Sequence, residues 1–205
     1  MADDLGSLSD ARGDALLQAA TDLFLNHSFT GVSVDAVIAR AGGSKRDLYQ
    51  RFGDKVGLFR QVIDHVCQEV LKPLRDLPTE GETLEAALTN FGRTFVPFLM
   101  SPKVIALQRL VIGESHRFPE FIDVFVRQGP ANAYAIVARL LESRAASGEI
   151  RVADPHLCGA LFCDMLATGL QYRVMAGETV SATEIEARIR ESVRMLVRPG
   201  GTLNG

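Results

Sequence analysis

Apolar residues recur at helical rather than strand spacing along almost the whole chain, with no sustained alternation of β-branched positions. Leu16, Ala20, Leu23 and Phe24 fall at i, i+4, i+7 and i+8 and make one stripe of a first helix over about 10–27, with Ser9 or Asp10 as its cap. Ser28-Phe29-Thr30-Gly31 reads as a turn. Ser33 then caps a short second helix to about Arg40, with Val34, Val37, Ile38 and Ala41 inward, and Gly42-Gly43 breaks it. Ser44-Lys45-Arg46-Asp47 has the form of a capping box, in which the Ser hydroxyl accepts from the Asp47 N–H and the Asp carboxylate accepts from the Ser44 N–H. A third helix therefore starts at Lys45 and ends near Phe52-Gly53. Asp54 caps a long fourth helix with Val56, Phe59, Val62, Ile63, Val66 and Val70 apolar, ended by Pro73 and a joint at Leu77-Pro78.

The remaining punctuation predicts further helices. One spans about Glu82–Met100, with a bend at Pro97. Ser101-Pro102, Phe118-Pro119, Gly129-Pro130 and Asp154-Pro155 each open another by placing Pro at a helix start. Ser147-Gly148 stops the one that begins at Pro130, and Ser181-Ala182-Thr183-Glu184 is a second capping box for a final helix to Val197. The expected fold is all-α, with about nine to ten helices. A three-helix helix-turn-helix domain over 10–54 precedes a larger helical domain over 55–198, which the helix over 55–71 joins to it. Residues 1–9 read as a disordered acidic tail and 199–205 as a second tail.

Composition narrows the function. The 205 residues are 47% hydrophobic and 23% charged, with 22 Lys+Arg against 25 Asp+Glu, a formal charge of −3. Such a balance excludes a protein that coats nucleic acid over its whole surface, but not one with a local basic site. Cys67, Cys158 and Cys163 have neither the pairing of a disulfide framework nor metal-ligand spacing, and reduced thiols in a cytoplasmic protein are expected. His27, His65 and His156 are scattered. Met1 to Asp10 holds three Asp and no Lys or Arg, the wrong charge for a signal peptide. The apolar run Leu157–Tyr172, interrupted by Asp164, is shorter than the ~18 residues a membrane span needs and reads as a buried helix. No Gly-rich phosphate loop, His-Glu metal repeat or nucleophile elbow is present, so no catalytic residue, metal or cofactor is expected.

Charge is concentrated in one window. From Arg40 to Arg60 there are six basic residues (Arg40, Lys45, Arg46, Arg51, Lys55, Arg60) and two acidic ones (Asp47, Asp54), a surplus of +4. The third helix would be about 12 Å long, which suits a major groove of similar width. Leu48 and Phe52 can pack inward and leave Lys45, Arg46, Tyr49 and Gln50 on other faces. A capped, basic short helix also describes an ordinary solvated face. A helical interaction module that binds no DNA, or a helical enzyme with a dispersed site, stays open on the pattern alone. Salt-insensitive binding of a partner would mark the interaction module.

The order of residues carries a resemblance. Phe29-Thr30-Gly31-Val32-Ser33-Val34, then Ala41-Gly42-Gly43-Ser44-Lys45-Arg46-Asp47-Leu48-Tyr49-Gln50-Arg51-Phe52-Gly53-Asp54-Lys55, then Leu58-Phe59, resembles the N-terminal domain of tetracycline-repressor (TetR) family transcriptional regulators over about 11–66. The resemblance implies a recognition helix over Lys45–Phe52, with Lys45, Arg46 and Gln50 as base or phosphate readers. It implies that Tyr49 contacts phosphate through its hydroxyl, that Ser33 and Ser44 meet the DNA backbone, and that Lys55 binds phosphate. Arg51 joins them as a basic residue of the same helix. Three positions depart from the family: Gly43 for a usual Val, Ile38 for Ala, and Asp47 for Thr.

The resemblance further implies a regulator, a repressor, that binds a palindromic double-stranded DNA operator as a homodimer, responds to a small hydrophobic or amphipathic effector, and has no membrane partner. The dimer would form through helices at about 155–175 and 183–197, with Leu157, Leu161, Met165, Ile189 and Leu196 at the interface. An effector pocket would draw apolar lining from Phe91, Phe95, Phe98, Leu107, Ile112, Phe121 and Phe125, and polar groups from Arg109, Glu114 and His116.

Overall fold

A computed structural model describes residues 2–77 and 82–197. Its ten helices are α1 (Ala2–Asn26), α2 (Val34–Ala41), α3 (Lys45–Phe52), α4 (Lys55–Arg75), α5 (Leu84–Leu99), α6 (Pro102–Glu114), α7 (Pro119–Gln128), α8 (Pro130–Ala146), α9 (Pro155–Met175) and α10 (Ala182–Val197). No strand occurs among the described residues, so the all-α expectation holds. The chain divides into two compact units. One holds the residues up to Cys67 together with Ala106–Phe125, and the other holds Gln68–Ile105 and the residues from Val126 on. No single helix among the described residues is long and apolar enough to cross a membrane.

The first unit is organised by phenylalanine. The α1 stripe of Leu16, Ala20 and Phe24 is buried with Val37 of α2, Leu48 of α3, and Leu58, Phe59 and Val62 of α4. Phe29, in the turn after α1, stands among Phe24, Phe59, Phe118 and Phe121, with ring centroids 4.9–5.7 Å apart. Edge-to-face pairs such as Phe59–Phe121, at 4.7 Å and 72°, add about 0.5–1.5 kcal/mol each to the burial term. The segment 106–125 is thereby tied to the helices of the N-terminal half, and Arg60 pairs with Glu120 at 3.4 Å on the same side of the chain. The boundary expected after residue 54 does not describe this division, because the pairs that set it are some 60–90 residues apart in sequence.

In the second unit α8 and α9 pack on each other, flanked by α5 and α10. Phe91, Leu141, Phe162, Leu166, Leu170 and Val193 fill its core. Gly159 lets the two central helices approach: a Cβ there would lie 2.8 Å from the Tyr134 carbonyl oxygen and 3.1 Å from the Ala138 nitrogen. The Tyr134 hydroxyl donates to Asp164 Oδ1 at 2.8 Å, and burial together with that carboxylate pushes the phenol well above its usual range. Arg93 of α5 makes two 2.9 Å bonds to Glu186 of α10.

Helix ends depart from expectation in three places. α1 begins at Ala2, so the stretch expected as a disordered tail is helical; it contains no proline to stop it. Pro73 lies inside α4, which runs to Arg75. The missing N–H removes a single bond near the helix end, where little helix remains to be kinked. Pro97 lies inside α5, within the helix as expected. Thr83, whose hydroxyl accepts from the Ala86 N–H at 3.2 Å, starts α5 at Leu84 rather than Glu82. Pro78 and the expected tail 199–205 lie outside the described residues.

The close helix approach generates a test. Gly159→Ala is expected to cost about 1–3 kcal/mol, since the obstructing atoms are backbone and cannot rotate away. Gly113→Ala, where nothing lies within 4 Å, should be neutral or stabilising by up to about 1 kcal/mol. Thermal melts of the two variants check the contrast; equal melting temperatures would refute it.

Candidate nucleic-acid interface

The turn between α2 and α3 is built by caps and glycines. Ser33 Oγ accepts from the Ala36 N–H at 3.1 Å and starts α2. Gly42, at φ 77°, ends it by donating to the Ile38 carbonyl at 2.8 Å. Gly43 follows at φ 110°, a backbone state that strains a side chain such as valine. The departure from the family's Val is therefore matched to this turn. Ser44 Oγ then accepts from the Asp47 N–H at 3.2 Å and starts α3.

Only half of the expected capping box forms. The Asp47 carboxylate does not return to Ser44. It accepts from Arg51 Nε at 2.9 Å and lies 3.6 Å from Arg12 Nε of α1. A guanidinium is a stronger partner for a carboxylate than one backbone N–H, and two are in reach. The second box behaves alike: Ser181 Oγ accepts from the Glu184 N–H at 3.2 Å, while the Glu184 carboxylate is bound by Arg173.

On α3, Leu48 is completely buried and Phe52 half-buried, whereas Lys45, Arg46, Tyr49 and Gln50 are exposed. The structure thus brings four of the expected contact residues together on the outward side of one short helix. Arg51 does not join them. It is half-buried, salt-bridged to Asp47, and lines a cleft of about 250 Å³ with Gly13, Asp14, Leu17 and Phe52. Its expected place on the contact face is corrected to a place between α3 and α1. The hydroxyls of Ser33 and Ser44 are engaged by their own helices.

The junction of α3 with α4 sets Lys55. Gly53 ends α3 at φ 77°, and Asp54 Oδ1 accepts from the Gly57 N–H at 2.6 Å. A Cβ on Gly57 would stand only 2.0 Å from the Phe52 carbonyl oxygen. Lys55 Nζ lies 4.6 Å above the Phe29 ring centroid. Partial burial there lowers its pKa, and the nearby Glu114 carboxylate opposes the shift.

Sequence reasoning missed three residues of this region. Asp35 pairs with Lys45 at 2.8 Å and raises its pKa by hydrogen bonding and charge; Asp22 pairs with Arg40 at 2.7 Å. Neither pair has helical spacing, so no local rule exposes them. Gly57 carried a visible signal, a glycine in the first turn of a predicted helix, where Gly costs about 1 kcal/mol and calls for a packing reason.

The other expected residues are dispersed. Phe91 and Phe95 are core residues of the second unit and Phe98 is exposed. Leu107 and Phe121 are buried in the first unit, Glu114 and Phe125 are half-buried there, and Arg109, Ile112 and His116 are exposed. Leu157 and Leu161 are 55% and 53% exposed, and Met165 and Leu196 are half-buried. Ile189, expected at a dimer face, is a core residue instead, because a side-chain-free Gly92 on α5 admits it.

Comparison with known proteins matches two stretches of the chain. Residues 16–62 match the model for bacterial regulatory proteins of the tetR family, and residues 86–199 match that of the AefR-like transcriptional repressor C-terminal domain. An HTH-type transcriptional repressor of Mycobacterium tuberculosis is 27% identical over 170 residues, covering 82% of this chain and 86% of its own. A TetR-family regulator structure from Mesorhizobium loti superposes with a TM-score of 0.83 at 25% identity, over 92% of this chain and 96% of that one. The structure of a flavonoid-responsive regulator, FrrA, superposes with a TM-score of 0.77 at 29% identity, over 91% and 95%.

The tight junction yields a mutational expectation. Gly57→Ala should destabilise the fold by about 1–3 kcal/mol or more, because the methyl meets a fixed carbonyl. Ser44→Ala should cost about 0.5–2 kcal/mol through removal of the cap. Denaturant unfolding measures both, and a Gly57→Ala variant as stable as the parent would contradict the geometry.

Proposed function

We propose that this chain, which belongs to the TetR family of bacterial transcriptional regulators, is a cytoplasmic, ligand-responsive repressor that binds a palindromic operator as a homodimer and is released by a small effector. Regulators of this family bind DNA operators, and neither the family nor the relatives are enzymes. One observation carries the finer reading: Lys45, Arg46, Tyr49 and Gln50 share the outward side of α3 while Leu48 fixes it from behind.

In this reading α3 enters the major groove. Lys45, Arg46 and Gln50 meet base edges or phosphate, and the Tyr49 hydroxyl meets a phosphate. Lys55, beside the backbone N–H groups that open α4, binds another. Ser33 and Ser44 approach the DNA backbone through the helix starts they cap. Arg51 acts from behind, through Asp47.

Two-fold symmetry suits a palindrome, with half-sites about one turn, ~34 Å, apart. The exposed Leu157 and Leu161, on adjacent turns of α9 with the half-buried Met165 one turn further on, support a dimer face, for which the half-buried Leu196 of α10 is a further candidate. The effector is hydrophobic or amphipathic. The name of a flavonoid-responsive relative supports that class. Effector binding shifts the C-terminal helices, α4 carries the shift, and the two recognition helices lose their common register.

Gel shifts with the DNA upstream of the gene test the reading. Specific binding over random DNA is expected, and equal binding would refute it. Lys45→Ala with Lys55→Ala should weaken binding and make the slope of log K against log salt shallower by about 0.9 for each phosphate no longer neutralised. Sedimentation should give twice the monomer mass, and Leu161→Glu should return it to the monomer; a parent chain that is monomeric at micromolar concentration would sink the dimer.

A further inference from the structure

The cations on and behind α3 are largely engaged with carboxylates of the same chain. Lys45 Nζ sits 2.8 Å from Asp35 Oδ1, with the two side chains 57% and 70% exposed. Arg51 Nε sits 2.9 Å from Asp47 Oδ1 and Arg12 Nε 3.6 Å from Asp47 Oδ2. Arg46 has no ion-pair partner among the described residues.

The backbone makes room for the second group. A Cβ on Gly13 would come within 3.2 Å of Arg51 Nη1, and one on Gly43 within 3.4 Å of Arg12 Nε. Asp47 stands where the resembling family commonly has Thr, which has no negative charge to hold the two arginines.

Building on the DNA-binding reading above, we propose that Asp35 and Asp47 are specificity-determining residues: they hold the exposed Lys45 and Arg12 in ion pairs, with Arg51 bound to Asp47 behind α3, and so suppress sequence-independent attraction to DNA phosphates. Non-specific affinity arises from phosphate charges neutralised by Lys and Arg. A cation that must first leave a carboxylate contributes less, and the carboxylate left behind repels the same phosphates. This penalty is the same for every duplex. Base-edge hydrogen bonds form at the operator alone and offset it there, so the ratio of specific to non-specific binding rises. Asp35 reaches the outward side of α3 from α2. Asp47 acts from the α1 side, where its Oδ2 is shielded from solvent. A chain of net charge −3 thereby carries a basic helix with a muted field.

The test uses the full chain and a fluorescent random-sequence duplex, with anisotropy titrations between about 50 and 200 mM salt. Asp35→Asn and Asp47→Asn keep shape and remove charge. Each should bind the random duplex about two- to fivefold tighter, with a salt slope steeper by about 0.9 for each cation released. The preference for the gene's upstream DNA over the random duplex should fall, and Asp35→Glu should restore the parent values. A purely structural role would move melting temperature and leave the slope alone. Should Asp47→Asn fail to fold, the exposed Asp35→Asn decides. Salt-dependent binding by the parent with slopes unchanged in the Asn variants would overturn this proposal and leave the DNA reading standing; absence of binding to either duplex by every chain would overturn both.

Discussion

Leu48 holds the candidate interface in place. α3 has eight residues, well below the ~12–15 at which an isolated helix becomes even marginal in water. Its persistence depends on one completely buried side chain, on the Ser44 hydroxyl at its first turn, and on Gly53 at its last. None of Lys45, Arg46, Tyr49 and Gln50 is buried, so packing of their own does not hold them outward, and of the four Lys45 is held by a carboxylate, that of Asp35. Display on this helix is a consequence of anchoring on its opposite side. The tie from Asp47 to Arg51 and Arg12 adds a polar restraint where the apolar one is narrow.

Much of the fold was legible because its signals are local. Proline at the first helical position opened α6, α7, α8 and α9 where expected, and Ser33 and Ser44 fixed the starts of α2 and α3. These are short-range sterics and hydrogen bonds, which a single sequence contains in full. The errors lie where a residue has two competing partners. Asp47 and Glu184 have the right type and spacing to return to a cap, but arginines from other turns take them. Ile189 has the apolarity of an interface residue, and only the absence of a side chain on Gly92, ninety-odd positions earlier, reveals it as core.

The placement of 106–125 shows the same limit at larger scale. Nothing local in Phe118 or Phe121 says which aromatic rings they will meet. In the folded chain both meet Phe29 edge-to-face, and Phe29 also contacts Phe24 and Phe59. Phe29 therefore links a turn that leads into α2 with the start of α7. A sequence reading that ends the N-terminal domain at residue 54 assigns these rings to different domains, although packing makes them one cluster.

Phe29 has a second consequence, for charge. A lysine can be positioned by a carboxylate or by an aromatic face, and the two differ in what they leave for a third party. Asp35 holds Lys45 and cancels its charge at the same time. The Phe29 ring holds Lys55 through its quadrupole, about 0.5–1 kcal/mol at a partly exposed site, and has no net charge to cancel. A phosphate approaching the start of α4 would therefore meet an ammonium already oriented, whereas one approaching Lys45 must displace a carboxylate. Because Phe29 is also the hub of the ring cluster, the position of Lys55 is fixed by the packing of α1, α4 and α7 together. A change in that packing would move the lysine without any altered charge, the form of coupling a hydrophobic effector can exert on an electrostatic contact.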